Sequence, residues 1–146
     1  MNIVILVLRV ALGAVFVAAG GLKIGHADVF AAQIAAFRIV PQAVIGPLAL
    51  LLPFLEVLLG GYLIIGLYTR LVASIAGIQL VLFAVAIGSA VARGMVISCG
   101  CFGAGDRTVT SWPEALRDLG LAAVAAFIAW RAPGMLALDR RMGEVK

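Results

Sequence analysis

The chain has 146 residues, of which 64% are apolar and 12% charged, and its mean hydropathy is +1.19. These values exclude an ordinary soluble domain and indicate an all-α integral membrane protein with room for roughly four spanning helices. The net charge of +4 comes mostly from basic residues at the ends of apolar segments, which predicts contact with membrane lipid and no binding of nucleic acid.

The first apolar segment, about 3–22, predicts the first spanning helix. It carries one charge, Arg9, and no basic region precedes it, so we expect a retained helix and not a cleaved signal peptide. Lys23 follows the segment. We interpret Lys23 as an anchor at the membrane interface, with contact to a quinone or a partner as the alternative.

The next stretch has a different pattern. Between about 27 and 40, the apolar residues Phe30, Ile34 and Phe37 recur at helical spacing. The stretch is too short to span, which predicts a short amphipathic helix at the membrane interface that Pro41 ends.

The second predicted span, about 44–68, carries Glu56 near its middle. A carboxylate at that depth is costly unless it is paired or faces the interior of the bundle. Arg9 is the only other charge well inside the first two spans. We therefore predict an Arg9–Glu56 pair that joins the two helices, with a proton relay or a quinone contact as the alternative role.

Two further spans follow. The third, about 71–92, has no charge. We interpret its Gln79 as a packing residue, with the lining of an internal cavity and contact to a quinone or a partner as the alternative. The fourth, about 112–131, begins at Trp112, which we expect to cover the preceding loop or to face a quinone ring. The remaining residues, 132–146, are predicted to form a cytoplasmic tail.

The loop 93–111 holds both cysteines of the chain, Cys99 and Cys101, on either side of Gly100. A disulfide between them closes a small ring and bends the backbone at Gly100, which glycine permits. Strained bridges have higher reduction potentials and tend to be catalytic or regulatory. The pair therefore predicts thiol–disulfide electron transfer.

Two other interpretations of the pair stay open. Two thiolates can bind a soft metal such as mercury or copper, and a bridge can simply hold a loop in place. For the redox interpretation, Gly103 keeps the flank open to a partner, and Arg93 or Arg107 would stabilise a thiolate.

Basic residues also predict the orientation. With both termini in the cytoplasm, the inner regions hold Arg70, Arg131, Arg140, Arg141 and Lys146. The outer regions hold Lys23, Arg38, Arg93 and Arg107. This bias places the amphipathic helix and the cysteine loop together on the outer face, which is the oxidising side of a bacterial inner membrane.

An ordered set of residues along most of the chain matches a known family. They are Arg9, Gly21-Leu22-Lys23, Pro41, Pro53-Phe54-Leu55-Glu56, Gly60-Gly61 and Cys99-Gly100-Cys101-Phe102-Gly103. On these residues the chain resembles the DoxX-like membrane superfamily, and within it the methylamine-utilisation MauE-type redox proteins. The resemblance implies a four-transmembrane-helix bundle that acts in disulfide formation in periplasmic proteins with thioredoxin-like partners, and in other branches in quinone-linked thiol oxidation.

The arrangement also looks like that of vitamin K epoxide reductases, in which a cysteine pair passes electrons to a quinone. Here one residue separates the cysteines instead of two, and the chain has no second pair, so another protein would supply the shuttle. We predict a thiol–disulfide oxidoreductase with Cys99 and Cys101 as the reacting residues, Gly100, Phe102 and Gly103 as the supporting loop, and a membrane quinone as the possible cofactor. The alternatives are a soft-metal carrier and a non-enzymatic accessory subunit of a membrane redox complex.

Overall fold

Five α-helices make up the fold. The computed structural model of the chain describes residues 2–101 and 108–131, so the predicted site residues Phe102 and Gly103, Arg107 and the predicted tail 132–146 lie outside the described residues. In chain order the helices are α1 (Asn2–Lys23), α2 (Ala27–Ala36), α3 (Gln42–Ile65), α4 (Thr69–Ala92) and α5 (Trp112–Arg131). The predicted all-helical fold is confirmed.

Three of these helices, α1, α3 and α4, are long and apolar enough to cross a membrane. Helix α2 is apolar but too short, and α5 is not among the candidates. Its 20 residues include four charges: Glu114, Arg117, Asp118 and Arg131. The fourth predicted span therefore corresponds to a helix at the predicted residues, and its crossing of the membrane stays a prediction.

Two helix ends differ from the predicted boundaries. Helix α2 ends at Ala36, four residues early, because Phe37 caps it and Arg38 takes a left-handed conformation (φ +52°). Pro41 does not end α2 but stands at the start of α3, where its fixed φ is compatible with a helix N-terminus. Helix α3 ends before left-handed Gly66 (φ +78°), whose N–H donates to the carbonyl of Tyr62.

The long helices pack as two antiparallel pairs, α1 with α3 and α4 with α5. Glycines bring α1 and α3 into close contact, because a Cβ at Gly13 would lie 2.8 Å from the carbonyl oxygen of Gly60, and one at Gly20 would lie 2.9 Å from Cβ of Glu56. Small residues that remove side chains from a helix interface allow this approach. These contacts fix the height of α1 against α3.

Helix α2 and the cysteine loop lie at the same end of the bundle, as predicted. Phe37 beyond α2, Ile87 on α4 and Ala115 on α5 form one buried cluster with Cys99. The opposite end holds the start of α1, the α3–α4 connection and the last turn of α5. Cys99 and Gly100 are therefore covered by α2 and the residue that follows it.

Candidate functional site

The cysteine loop is closed at its base by backbone hydrogen bonds. The N–H of Cys99 donates to the carbonyl of Thr108 over 2.9 Å, and the N–H of Thr110 donates to the carbonyl of Ile97 over 2.8 Å. Ser98 and Val109 form an antiparallel bridge between the two sides. This short ladder holds Cys99 at the mouth of the loop.

The sulfur atoms of Cys99 and Cys101 are joined in a disulfide, with 5.4 Å between the two α-carbons. Gly100 between them has φ +67°, so the predicted need for glycine at the bend is confirmed. The amide of Gln33 on α2 lies against the α-carbon of Gly100. Sequence analysis did not identify Gln33, since a polar residue on a short amphipathic helix gives no sign of what it contacts.

The two cysteines have different surroundings. Cys99 is buried in the apolar cluster with Phe37 and Ile87, whereas Cys101 is half-buried. Both line a larger apolar cleft, and of the two only Cys101 lines a small internal cavity among charged side chains. The bridge therefore lies between an apolar and a polar compartment.

Glu56 is paired with Lys23. The Nζ of Lys23 lies 2.9 Å from both carboxylate oxygens, and the side-chain amide of Gln79 donates to Oε1 over 3.1 Å. The predicted Arg9–Glu56 pair is wrong, because the glycine contacts set Glu56 beside the end of α1. Arg9 lies 14 positions earlier on α1, about 21 Å away along the axis at 1.5 Å per residue.

Lys23 is not an interfacial anchor, so the interpretation of this residue from the sequence is wrong. Only 2% of it is exposed, and its ammonium lies 5.0 Å from the ring centre of Phe30 and 5.6 Å from that of Phe83. Helix α2 folds back and covers the end of α1 with Phe30. An ammonium among aromatic rings and a carboxylate is held by cation–π and ionic attraction together.

A small cavity of about 40 Å³ connects this ion pair to the disulfide. Lys23, Glu56, Gln79 and Cys101 all line it, and Asp118 lines it from α5. We call it the polar cavity because charged and amide groups reach it, although most of its wall is apolar, and its size leaves room for ordered water at those groups. Four helices and the cysteine loop therefore bring their polar groups to one point.

Helix α5 contributes a charge cluster that sequence analysis did not assign to the site. Arg117 lies 2.6 Å from a carboxylate oxygen of Glu114 and 3.1 Å from one of Asp118. Asp118 is buried and, like Arg117, lines the polar cavity. The signal was present in the sequence as three charges within the first two turns of a helix that is otherwise apolar.

A larger apolar cleft of about 360 Å³ lies on the other side of the disulfide, between α2, α3 and α4. Its walls include Phe30, Phe37 and Phe83 together with both cysteines. The amide oxygens of Gln33 and Gln79, which also line it, are buried and have no hydrogen-bond partner among the described residues. Gln79 lines both compartments, and its contact with a quinone or a partner stays a prediction.

Two other predicted residues lie away from these compartments. Trp112 is exposed, packs against α4 at Gly88, and lines neither the polar cavity nor the cleft. Arg93 donates to the carbonyls of Phe37 and Ser89 and lines neither compartment either. It ties the end of α4 to the end of α2, and the cations of the described residues that share a cavity with Cys101 are Lys23 and Arg117.

No group of three or more His, Cys, Asp or Glu side chains gathers anywhere in residues 2–101 and 108–131 in a way that would hold a metal ion. The two cysteines are bonded to each other within this part of the chain. A soft-metal site on these two sulfurs would therefore need reduction of the bridge.

Comparisons with a family model and with known proteins both identify one family. The model of the family described as methylamine utilisation protein MauE matches residues 1–131. The methylamine utilization protein MauE of Methylorubrum extorquens is 36% identical over 112 residues, which cover 76% of this chain and 60% of that protein. That of Paracoccus denitrificans is 35% identical over 127 residues, 86% of this chain and 68% of that protein. No solved structure matches the chain.

Proposed function

This chain belongs to the MauE family of methylamine utilisation proteins, and from this premise we propose that it is a membrane thiol–disulfide oxidoreductase. The Cys99–Cys101 bridge exchanges electrons with a thioredoxin-like protein on the outer side of a bacterial inner membrane. The observation that carries the proposal is the position of the bridge, between an apolar cleft and a cavity that holds a buried ion pair.

The exchange needs no group beyond the two proteins. A thiolate of the partner attacks one sulfur of the bridge, the Cys99–Cys101 bond breaks, and its electron pair stays on the sulfur that leaves. The partner's second thiol, as a thiolate, then attacks the partner sulfur of the mixed disulfide. The partner is thereby oxidised to a disulfide and the pair is reduced by two electrons, while the protons that the partner's thiols release balance those that the pair can take up.

The base of the loop supports this role because hydrogen bonds as well as the disulfide hold it. Backbone hydrogen bonds at Ile97, Cys99, Thr108 and Thr110 close its base, and Cys99 is held by the cluster with Phe37. Reduction therefore leaves the position of Cys99 fixed. A pair that must cycle between two oxidation states needs such independent support.

The cleft has the composition of a site for a membrane quinone. Its walls are mostly apolar, it reaches both cysteines, and the buried amide oxygens of Gln33 and Gln79 would accept hydrogen bonds from the ring hydroxyls of the quinol that forms when a quinone is reduced. A quinone bound there would supply a two-electron acceptor for the reduced pair. Gln79 would orient the ring, since its amide nitrogen is held by Glu56.

We propose that α5 is the fourth span. Its acidic side chains are paired with Arg117, and Asp118 is buried against the bundle, which reduces the free energy needed to place these charges in a membrane. With four spans both termini lie on one side. The sequence bias of basic residues, with Arg70, Arg131, Arg140, Arg141 and Lys146 on the side of the termini, supports a cytoplasmic position for both.

The test is a redox titration of the purified, detergent-solubilised protein in a dithiol series, read by thiol alkylation and mass spectrometry. We expect a reversible Cys99–Cys101 bridge with a reduction potential above about −300 mV, whereas inert structural disulfides have potentials below that value. Reduced thioredoxin serves as the probe for the partner, and Cys99→Ser and Cys101→Ser should each abolish exchange, because neither variant can form the bridge that a thioredoxin thiolate attacks. A bridge that resists reduction throughout would contradict the proposal, as would stoichiometric mercury binding by a pair that never re-forms its bridge.

A further inference from the structure

The ion pair and the disulfide contribute to one polar cavity from different parts of the chain. Lys23 enters it from the end of α1, Glu56 from the middle of α3, and Cys101 from the loop before α5. Cys99 does not line this cavity and packs among apolar side chains instead. Any charge that forms on Cys101 therefore forms at the wall of a cavity that the Lys23–Glu56 pair also lines.

The charges that face Cys101 come from three helices within the described part of the chain. Helix α1 supplies Lys23, α3 supplies Glu56, and α5 supplies Arg117 and Asp118 to the cavity wall. Arg117 also pairs with Glu114. Helices α2 and α4 present the neutral amides of Gln33 and Gln79 to the bridge and the ion pair. Each cation thus already has a carboxylate partner while the bridge is closed.

Opening the bridge changes this balance. Whichever sulfur is attacked first, the completed two-electron transfer leaves an electron pair on Cys101, and a thiolate there adds a negative charge at a half-buried position. An anion that has lost part of its hydration is costly unless a cation compensates it. Lys23 is the buried cation of this cavity, because Arg117 is partly exposed.

We propose that Lys23 is shared between Glu56 and Cys101, pairing with the carboxylate while the bridge is closed and stabilising the Cys101 thiolate once it opens. Glu56 is then a positioning residue that sets how much of the Lys23 charge the thiolate receives. This inference rests on the proposed thiol–disulfide function and adds to it a specific partner for one of the two sulfurs. Gln79 holds the carboxylate in place through its 3.1 Å hydrogen bond.

The experiment uses full-length protein with Cys99→Ser, in which Cys101 is the only thiol, and measures its alkylation rate against pH. Lys23→Gln should move the profile to higher pH, and each pH unit of that movement should slow alkylation at neutral pH by about tenfold. Glu56→Gln should move the profile the opposite way, because it removes the anion that competes for Lys23. If the two substitutions acted only by loosening the structure, the alkylation profiles of Lys23→Gln and Glu56→Gln would move in the same direction.

A second comparison tests the proposal even if the Lys23→Gln protein does not fold. The double variant Lys23→Gln/Glu56→Gln replaces both charges by amides, so it leaves no buried charge unpaired. Its profile should lie at higher pH than that of Glu56→Gln alone. Equal profiles for these two proteins would overturn the proposal, and so would a movement of the Glu56→Gln profile to higher pH.

The matched control is Cys101→Ser, in which Cys99 is the only thiol. Because Cys99 lines the apolar cleft and not the polar cavity, changes at Lys23 should alter its alkylation by less than about twofold, a few tenths of a kcal/mol. Equal effects on both cysteines would also overturn the proposal. No partner protein takes part in these measurements, so their outcome is distinguishable from a failure of disulfide exchange with thioredoxin.

Discussion

The side-chain amide of Gln33 on α2 lies against the α-carbon of Gly100, midway between the two cysteines. A methyl group at Gly100 would collide with that amide, and φ +67° there is a left-handed conformation that other residues adopt at a cost. Helix α2 therefore limits the space in which the bridge forms.

Gly100→Ala should slow re-formation of the bridge after reduction and destabilise the protein by more than the about 1–2 kcal/mol that the backbone conformation alone costs. The measurement is the rate of thiol loss on reoxidation, together with thermal unfolding. Gly94→Ala is the matched control, since Gly94 also has positive φ (+68°) but has open space at its Cβ. Adding Gln33→Ala should recover part of the loss in Gly100→Ala, and no recovery would mean that contact with Gln33 is unimportant.

The contact between α1 and α3 predicts different effects at two adjacent glycines. A Cβ at Gly60 would lie 2.8 Å from the backbone nitrogen of Val17, whereas one at Gly61 would meet open space. Gly60→Ala should therefore destabilise the bundle by about 1–3 kcal/mol, as overpacking does. Gly61→Ala should be neutral or slightly stabilising. Thermal unfolding in one detergent compares them, and equal effects would contradict a close contact between the two helices at Gly60.

The buried ion pair predicts a stability result that is separate from its role in thiol chemistry. Lys23→Met leaves the Glu56 carboxylate buried without its cation, which should cost about 3–5 kcal/mol. Lys23→Met/Glu56→Leu should recover most of that loss, because no buried charge remains. Arg70→Met, at an exposed position at the other end of the bundle, is the control. A double variant as unstable as the single one would show that packing and not charge is responsible.

The cleft predicts a ligand effect that can be tested without a reaction. Val85 lines the cleft and is exposed toward its opening, so Val85→Trp should fill part of it. A short-chain quinone should raise the unfolding temperature of the unchanged protein, as any ligand of the native state does, and should do so less for Val85→Trp. Val81→Trp is the control, because Val81 lines a separate groove between α4 and α5. Equal increases in both variants would place the quinone elsewhere.

The helices could be predicted from the sequence because apolar runs of spanning length are a strong signal. All five lie close to their predicted positions, and the largest difference, at the end of α2, comes from a left-handed conformation at Arg38. Arg38 belongs to a residue type that rarely takes that conformation. Nothing in the local pattern therefore marked the turn.

The partner of Glu56 could not be predicted, because pairing depends on the height at which two helices meet. The contacts at Gly13 and Gly20 set that height, and hydrophobic periodicity carries no information about it. Arg9 and Lys23 lie 14 residues apart, close to four turns, and so share one face of α1. The sequence thus offered two cations on one face, and only the packing distinguished between them.

The hydrogen-bonded base of the cysteine loop affects how well the folded protein tolerates reduction of its bridge. A cross-link between residues two positions apart removes little conformational freedom from an unfolded chain, about 2 kcal/mol when only loop entropy is counted. The peptide groups of Cys99 and Thr108 already join the two sides of the loop in the folded protein. The reduced protein should therefore unfold only several degrees below the oxidised one, which lets the chain remain folded in its reduced form until its partner arrives.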